Sequence, residues 1–311
     1  MLVGRRLLIV AVVLATIASI YVLVERTGAS AVASAIRPNW LLLAIGFAII
    51  ASVQPLRAWA WSSTVRSPVG FRAMYVSSAI GSFLDTVLPG RLGEASKLAV
   101  LKVAAGKEYP GFSRAGGSLL CAHLLEMTAF AVLGAAAALF LPVPGWARVT
   151  LLVGLTAPAA GLVLLAVVHR RFGTRLPRGL DRFLAGANAP SPILARAAAI
   201  LFVTWVARWF GVLFLLHAVG LHVSIGAALL YMVVTGLANT APILPGNAGL
   251  YQGAAIGALA LIGQSGAHAV AASLLTPVVV SLATATAALV GLAFYGSRFI
   301  ELPRAAFTFR P

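Results

Sequence analysis

The sequence predicts an all-α, polytopic membrane protein with about six full spans and two re-entrant helical hairpins in an inverted repeat. Three observations predict this class: the composition, a series of long apolar runs, and two Pro-Gly breaks. Hydrophobic residues make up 61% of the 311 residues and charged residues 10%, with a mean hydropathy of +0.99, whereas a soluble domain is about one quarter charged. These values exclude an ordinary soluble domain. The single cysteine, Cys121, excludes an intrachain disulfide or a cysteine metal cluster.

The spans follow from apolar stretches long enough to cross a bilayer as a helix, which takes roughly 20 residues. The first runs from Leu7 to Val24 behind Arg5 and Arg6. We favour an uncleaved span there, although the small residues from Ala29 to Ala35 also resemble a signal-peptide cleavage site. The other five are predicted at Trp40 to Ala60, Leu119 to Leu141, Val149 to Val168, Ala197 to Val219, and 268–295.

Residues 73–102 are predicted to form a re-entrant hairpin. Pro89 lacks a backbone donor, and Gly90 and Gly93 tolerate backbone angles that other residues avoid, so a helix breaks here. A broken helix within a membrane is tolerated where protein or water covers its unpaired backbone groups. Charged side chains at that depth usually face a cavity and have a function. Four such residues surround the break: Asp85, Arg91, Glu94 and Lys97.

The basic residues predict the orientation. Residues 227–262 are apolar but too interrupted for one span, which predicts a second hairpin. With a cytoplasmic N-terminus, most of the 23 Lys and Arg residues then fall on the cytoplasmic side, especially in the Arg-rich loop 169–196. That loop contains Pro and Gly and is predicted to be irregular. We therefore expect a multi-pass protein of the cytoplasmic (inner) membrane with both termini cytoplasmic.

The net charge of +16 does not indicate nucleic acid as a partner. The basic residues lie in short tracts between apolar spans and form no continuous face with interleaved aromatic residues. Such tracts are typical of topology signals and of contacts with anionic lipid headgroups. Membrane lipids with an anionic or phosphate-bearing headgroup are therefore the predicted partners.

A short motif recurs along the chain. Leu88-Pro89-Gly90-Arg91-Leu92-Gly93 and Leu244-Pro245-Gly246-Asn247-Ala248-Gly249 share the pattern L-P-G-x-x-G. Arg57 lies upstream of the first copy and Arg208 upstream of the second, each close to a tryptophan. The two copies predict an internal repeat within a single membrane domain, 1–311.

The repeat halves are predicted at about 40–141 and 197–295. In the topology above, their hairpins enter from opposite sides of the membrane. Many secondary transporters place their substrate near the midplane between such inverted halves, where helices break. The sequence therefore predicts a site between the two hairpin tips.

The chemistry of the tips indicates an anionic ligand. Glycine N–H groups at a helix start attract anions, and a nearby Arg offers bidentate recognition of phosphate. The second tip is neutral and amide-rich. Gly249, Gly253 and Gly257 recur every four residues, which predicts close packing of the helix that carries them. The predicted substrate-binding residues are Arg57, Asp85, Pro89, Gly90, Arg91, Gly93, Glu94, Lys97, Glu126, Arg208, Asn239, Pro245, Gly246, Asn247, Gly249, Tyr251 and Gln252.

Simpler roles exist for several of these residues. Glu94 is three residues from Lys97, so the two can form a local ion pair. Asp85 can pair with Arg91 and hold the tip. Glu126 is either a proton carrier or the buried partner of an arginine. Arg57 and Arg208 either serve the site, reach an interface or sit in the core. Likewise, the polar residues after the second break either line the cavity or satisfy backbone groups.

Catalytic motifs are scarce. The sequence has no G-x-S-x-G, H-E-x-x-H or G-x-x-x-x-G-K-[ST] pattern, so serine hydrolysis, zinc proteolysis and P-loop ATP use lack support. Histidines without metal-ligand spacing predict no metal site. We expect no enzyme activity and no cofactor, and movement of a substrate that is either downhill or coupled to an ion gradient.

The two Pro-Gly motifs resemble those of a known family. Leu88-Pro89-Gly90-Arg91-Leu92-Gly93-Glu94, followed by Lys97, is similar to the transmembrane flippase-like domain of bacterial lysyl-phosphatidylglycerol synthetases. The later Leu244–Gly249 motif resembles that family's second break, with Asn247 in place of a glycine; Gln252 stands where an acidic residue is frequent. In those synthetases a soluble aminoacyl-transferase domain follows the membrane part, and here the sequence ends soon after the last span. The resemblance implies lipid translocation by a stand-alone member, without lipid synthesis.

The residues and the resemblance together predict that the protein is a lipid flippase. Its substrate is expected to be a phospholipid or another phosphate-bearing lipid of the cytoplasmic membrane. Two alternatives stay open. One is an intramembrane enzyme acting on a lipid phosphate, and the other is a non-catalytic membrane partner of a lipid-synthesis enzyme. A homo-oligomer is also compatible with the sequence.

Overall fold

The fold is taken from a computed structural model of the chain. It describes residues 21, 25, 29–35, 38–65, 67–87, 92–141, 143, 145–172, 177–239 and 249–294. Within these ranges the chain forms helices and the turns between them. The predicted first span, Leu7 to Val24, lies outside the described residues except for Tyr21.

Eleven α-helices are described. In chain order they are α1 (Ala29–Ala35), α2 (Trp40–Val65), α3 (Phe71–Val87), α4 (Leu92–Ala105), α5 (Phe112–Phe140), α6 (Gly145–Phe172), α7 (Arg178–Ala187), α8 (Ser191–Ala218), α9 (Ile225–Ala238), α10 (Leu250–Leu261) and α11 (Ala267–Ala293). A 3₁₀ turn, Gly106–Glu108, follows α4.

Five of these helices are long and apolar enough to cross a membrane: α2, α5, α6, α8 and α11. They coincide with five of the predicted spans, which confirms a polytopic all-helical membrane protein. Very little of the apolar stretch of α6 is buried. Side chains such as Val163 and Leu164 are exposed, as expected of residues that face lipid.

Short helices stand where the two hairpins were predicted. α3 and α4 fall between the long helices α2 and α5, and α9 and α10 fall between α8 and α11. The order of long, short, short and long helices thus occurs twice along the chain. Both breaks, 88–91 and 240–248, lie outside the described residues. The same is true of six predicted site residues: Pro89, Gly90, Arg91, Pro245, Gly246 and Asn247.

The chain forms two compact units, each built from separate segments. The first unit consists of Met1–Ile49, Asp85–Leu92 and Trp209–Ala283, and the second of Ile50–Leu84, Gly93–Arg208 and Thr284–Pro311. The core of the first unit contains Leu216, Tyr231 and Leu259, all fully buried. The core of the second unit contains Met74 and Leu101, which are equally buried.

The prediction of an irregular loop over 169–196 was wrong in part, because residues 178–187 form α7. This helix crosses α5 at two glycines. A Cβ at Gly117 would overlap the backbone carbonyl of Phe183, and a Cβ at Gly186 would overlap that of Arg114. Leu184 is buried in this crossing while Arg182 stays exposed. Backbone contact at these glycines therefore fixes α7 on α5 in the second unit.

The glycines of α10 do not pack as predicted. A Cβ at Gly253 or Gly257 would meet no described atom within 4 Å. Gly249 differs, because it precedes α10 with a φ of +84°, a conformation that favours glycine. The spacing of the three glycines was therefore misleading, and the backbone requires a glycine at the helix start alone.

Candidate functional site

A small cavity in the second unit gathers charged residues from separate helices. Arg57 comes from α2, Glu94 and Lys97 from α4, and His123 and Glu126 from α5. The rest of the lining consists of Trp61, Ser78, Leu119, Ala122 and Leu201. Its free volume is about 20 Å³, which is room for about one water molecule. The cavity is therefore too small for a phosphate group.

An ion pair joins α2 to α5 at this cavity. The Arg57 guanidinium donates a hydrogen bond to the Glu126 carboxylate across 69 residues of sequence. The Arg57 side chain is 22% exposed and that of Glu126 is 10% exposed. Of the alternatives for Glu126, pairing with an arginine is confirmed, and Arg57 is that arginine. A pair this poorly hydrated is sensitive to the loss of either partner, since the remaining charge stays buried.

A second ion pair lies on α4. Lys97 Nζ is 2.6 Å from Glu94 Oε1, one turn earlier on the same helix, and donates a hydrogen bond to it. The Lys97 side chain is 8% exposed and that of Glu94 is 28% exposed. The local pairing considered from the sequence is thus confirmed. Because the ammonium is buried, this pair belongs to the cavity and is not a solvated surface contact.

α3 holds Lys97 in place. The Ser77 hydroxyl donates a hydrogen bond to the Lys97 carbonyl. A Cβ at Gly81 would overlap Cγ of Lys97 and come within 2.8 Å of the Gly93 carbonyl oxygen. The missing side chain at 81 therefore leaves the space that the lysine methylenes occupy. Gly93 contributes to the site through its backbone, at this crossing of α3 and α4.

Hydrogen bonds between α2 and α5 fix the other side of the cavity. Trp61 Nε1 donates to Ser118 Oγ at 3.2 Å, and both side chains are buried. One turn of α2 separates Trp61 from Arg57, so this bond sets how far the arginine reaches towards α5. Glu126 lies about two helical turns after Ser118 on α5 and accepts the hydrogen bond from the Arg57 guanidinium.

Arg208 does not line this cavity. Its guanidinium carbon lies 5.2 Å from the ring centroid of Trp205, one turn earlier on α8. The tryptophan near Arg57 also has another partner, since Arg196 stacks over Trp59 at 5.2 Å. Arg57 therefore lines the cavity beside a carboxylate, whereas Arg208 lies beside Trp205.

The remaining described candidates belong to the first unit. They are Asp85, Asn239, Gly249, Tyr251 and Gln252. Gln252 accepts a hydrogen bond from the Gly249 N–H at 2.6 Å, which satisfies a donor at the start of α10. The Tyr251 hydroxyl lies 3.5 Å from that of Tyr231, which is fully buried. Gln252 thus satisfies the backbone, one of the two roles considered for it.

The cavity also contains residues absent from the predicted set. His123 lies three residues before Glu126, so the two share one face of α5. That spacing was a usable signal. Trp61 and Ser78 carried no comparable signal, because no charged residue lies within three positions of either one in the sequence. Among the described residues, no group of His, Cys, Asp or Glu is placed to bind a metal ion.

Two cationic side chains, Arg57 and Lys97, line the cavity, and each is paired with a carboxylate. Guanidinium groups match the geometry of phosphate oxygens in bidentate fashion, and a lysine adds a compact point charge.

Comparisons with known proteins bear on this arrangement. The profile of the family described as Lysylphosphatidylglycerol synthase TM region matches residues 6–296. That match takes in every helix described above. Searches among curated proteins and among solved structures gave no match.

Proposed function

The chain belongs to the family of the lysylphosphatidylglycerol synthase transmembrane region, and from that premise we propose that it moves a phosphate-bearing lipid between membrane leaflets. The membrane is the cytoplasmic one, and the substrate class is a phospholipid or another lipid with a headgroup phosphate. The protein acts as a transporter and performs no chemistry on the lipid.

One observation carries the proposal: Arg57 and Lys97 converge, from different helices, on a cavity inside a helical membrane unit. Charged groups at membrane depth require a partner or a polar path, because the hydrocarbon offers neither. Here each cation already has a carboxylate partner. A stable fold does not need two such pairs in one cavity, since apolar packing is often as stabilising.

A headgroup phosphate can replace the Glu126 carboxylate at Arg57. Its oxygens accept hydrogen bonds from the Arg57 guanidinium in the geometry that Glu126 uses now, and Lys97 adds a second cationic contact. The lipid tails need no polar path, because the outer surfaces of long helices such as α6 are apolar and exposed. The headgroup then crosses through protein while the tails stay in lipid.

The helices α3 and α4 form one wall of the cavity, through Ser78, Glu94 and Lys97. Each of these helices is shorter than the spanning helices beside it in sequence, with 17 and 14 residues. Lys97 and Glu94 lie near the start of α4, directly after the break. We propose that a displacement of α3 and α4 widens the 20 Å³ cavity enough to admit a headgroup.

The test is lipid movement in reconstituted vesicles. Phosphatidylglycerol with a fluorescent acyl chain is placed in both leaflets, and dithionite quenches the label in the outer leaflet; movement shows as continued quenching. We expect wild-type protein to support movement and Arg57→Gln to slow it at least tenfold. The matched control is Arg148→Gln, which changes an exposed arginine on α6.

Stability is separated from function by a second variant. Arg57→Gln leaves the Glu126 carboxylate buried without its guanidinium, so we also test Arg57→Gln with Glu126→Gln, which removes the pair together. Both are compared after gel filtration and thermal unfolding. Movement at the wild-type rate in a folded Arg57→Gln protein contradicts the proposed headgroup site. Chemical conversion of the labelled lipid, detected by mass spectrometry, contradicts a pure transporter.

A further inference from the structure

The charges that line the cavity balance. Arg57 and Lys97 contribute two positive charges, and Glu94 and Glu126 contribute two negative ones. A phosphodiester headgroup brings one more negative charge. Within a poorly hydrated cavity an uncompensated charge is expensive, so the arrival of the headgroup must be accompanied by a compensating change.

We expect the compensating change in charge to occur on the carboxylate that the phosphate displaces, which is Glu126. When the phosphate takes the Arg57 guanidinium, Glu126 loses its partner and lies beside a second anion. Both effects favour the protonated form of a carboxyl group. Binding of a proton from the adjoining water makes an O–H bond on the Glu126 carboxyl and restores the charge balance.

We propose that each anionic phosphodiester headgroup enters the cavity together with one proton, which binds to Glu126. This inference rests on the proposed function and names its driving force. When the headgroup leaves on the other side, Arg57 pairs with Glu126 again and the proton returns to water there. Lipid and proton therefore move together, and the net charge moved is zero.

The geometry favours Glu126 over Glu94, the other carboxylate among the ionisable groups that face the cavity. Those groups are Arg57 from α2, Glu94 and Lys97 from α4, and His123 from α5. The other two lining elements, α3 and α8, present Ser78 and Leu201, which do not titrate. Glu94 is the more exposed carboxylate and keeps its partner on its own helix. Glu126 is 10% exposed and depends on a guanidinium from another helix.

The experiment applies a pH gradient to the vesicles. Fluorescent phosphatidylglycerol is placed in one leaflet, and its movement is followed with the acidic side either facing that leaflet or opposite to it. We expect wild-type movement to speed up at least threefold when the acidic side faces the labelled leaflet. Because proton and anion cross together, a valinomycin-imposed potential leaves the rate unchanged. Random orientation of the protein does not alter these expectations.

Glu126→Gln replaces the carboxyl group by a neutral amide of the same size. We expect the movement that this variant still supports, whatever its rate, to show no response to the pH gradient and to respond to the potential because the anion now crosses alone. The matched control is Glu108→Gln, which alters an exposed glutamate outside the cavity. It retains the wild-type response.

A measurement on unaltered protein covers the case in which Glu126→Gln does not fold. Dihexanoyl phosphatidylglycerol is added to wild-type protein in weakly buffered detergent solution, and a pH-sensitive dye reports proton uptake. About one proton per bound lipid is expected. A parallel titration with glycerol 3-phosphate and inorganic phosphate distinguishes a lipid headgroup from a free phosphate as the ligand.

The outcomes separate the two proposals. Wild-type movement that ignores the pH gradient, or binding without proton uptake, overturns the proton inference while lipid transport stands. A folded Glu126→Gln protein that keeps its pH response overturns the assignment to Glu126. No movement by wild-type protein under any gradient overturns the proposed function and this inference with it.

Discussion

Gly81→Ala adds one methyl group at the crossing of α3 and α4. The new Cβ would lie 2.8 Å from the Gly93 carbonyl oxygen, whereas an ordinary contact begins at 3.4 Å. The backbones must therefore separate by about 0.6 Å at this point. Cγ of Lys97 would overlap the methyl group, so the lysine side chain must move as well.

The expected loss of stability is moderate. Overpacking of this kind costs about 1–3 kcal/mol, and replacing a helical glycine by alanine returns about 1 kcal/mol. The net loss is then at most about 2 kcal/mol, which leaves the protein folded. Function is affected more, because Lys97 is displaced from its place in the cavity. Loss of about 1.4 kcal/mol of its interaction with phosphate corresponds to a tenfold slower transport.

The assay is the dithionite measurement of phosphatidylglycerol movement, combined with thermal unfolding of the same preparation. Gly253→Ala is the matched control, because its methyl group meets no described atom within 4 Å. We expect that control to move lipid at the wild-type rate and to unfold at the same or a slightly higher temperature. A Gly81→Ala protein that moves lipid as fast as wild type refutes the role given to this crossing.

Further predictions concern the ion pair, a helix start and the topology. Arg57→Gln and Glu126→Gln each lower stability by roughly 2–4 kcal/mol, and the double variant loses less than their sum in thermal unfolding; additive losses contradict the pairing. Gln252→Ala removes the hydrogen bond from the Gly249 N–H, which precedes α10, and lowers stability by about 1 kcal/mol, whereas an unchanged unfolding temperature argues against that cap. Cysteines placed at Lys102 and Arg182, in a background without the native cysteine, react with an impermeant maleimide from the same side. Labelling from opposite sides contradicts the predicted topology.

Most of the helical architecture could be predicted from the sequence, because hydrophobic length and Pro-Gly breaks are local signals. The ends were less predictable. α5 begins at Phe112, whereas Leu119 was the predicted start. An apolar run in the sequence ends where the chain leaves the hydrocarbon core of the membrane. The helix itself extends further, because its backbone hydrogen bonds continue through polar residues such as Ser113.

α7 was missed although its signal was present. Apolar residues recur at 180, 183, 184 and 187 in the spacing of a helical face. The Pro and Gly residues around them indicated a loop instead. What decides the outcome is tertiary contact: Gly117 lets the backbone of α7 approach α5 directly. A local pattern does not report that contact.

Pairs within one helix of the candidate site could be predicted, whereas pairs between helices depend on tertiary contacts. The pairing of Glu94 with Lys97 follows from helical spacing and was foreseen. The partner of Glu126 was foreseen as an arginine, but its identity depends on how α2 packs against α5, since 69 residues separate it from Arg57. The sequence therefore indicated the charges, and the packing of helices decides which of them meet.

In the proposed transport, a lipid headgroup phosphate occupies the cavity beside Arg57 and Lys97. The most direct test of this claim is photo-crosslinking of wild-type protein in vesicles with phosphatidylglycerol that carries a diazirine on its headgroup glycerol, followed by peptide mass spectrometry. We expect adducts on the stretch of α5 from Leu119 to Glu126 and their loss when unlabelled phosphatidylglycerol is in excess. Adducts confined to the exposed apolar surface of α6, with none on α5, contradict the claim.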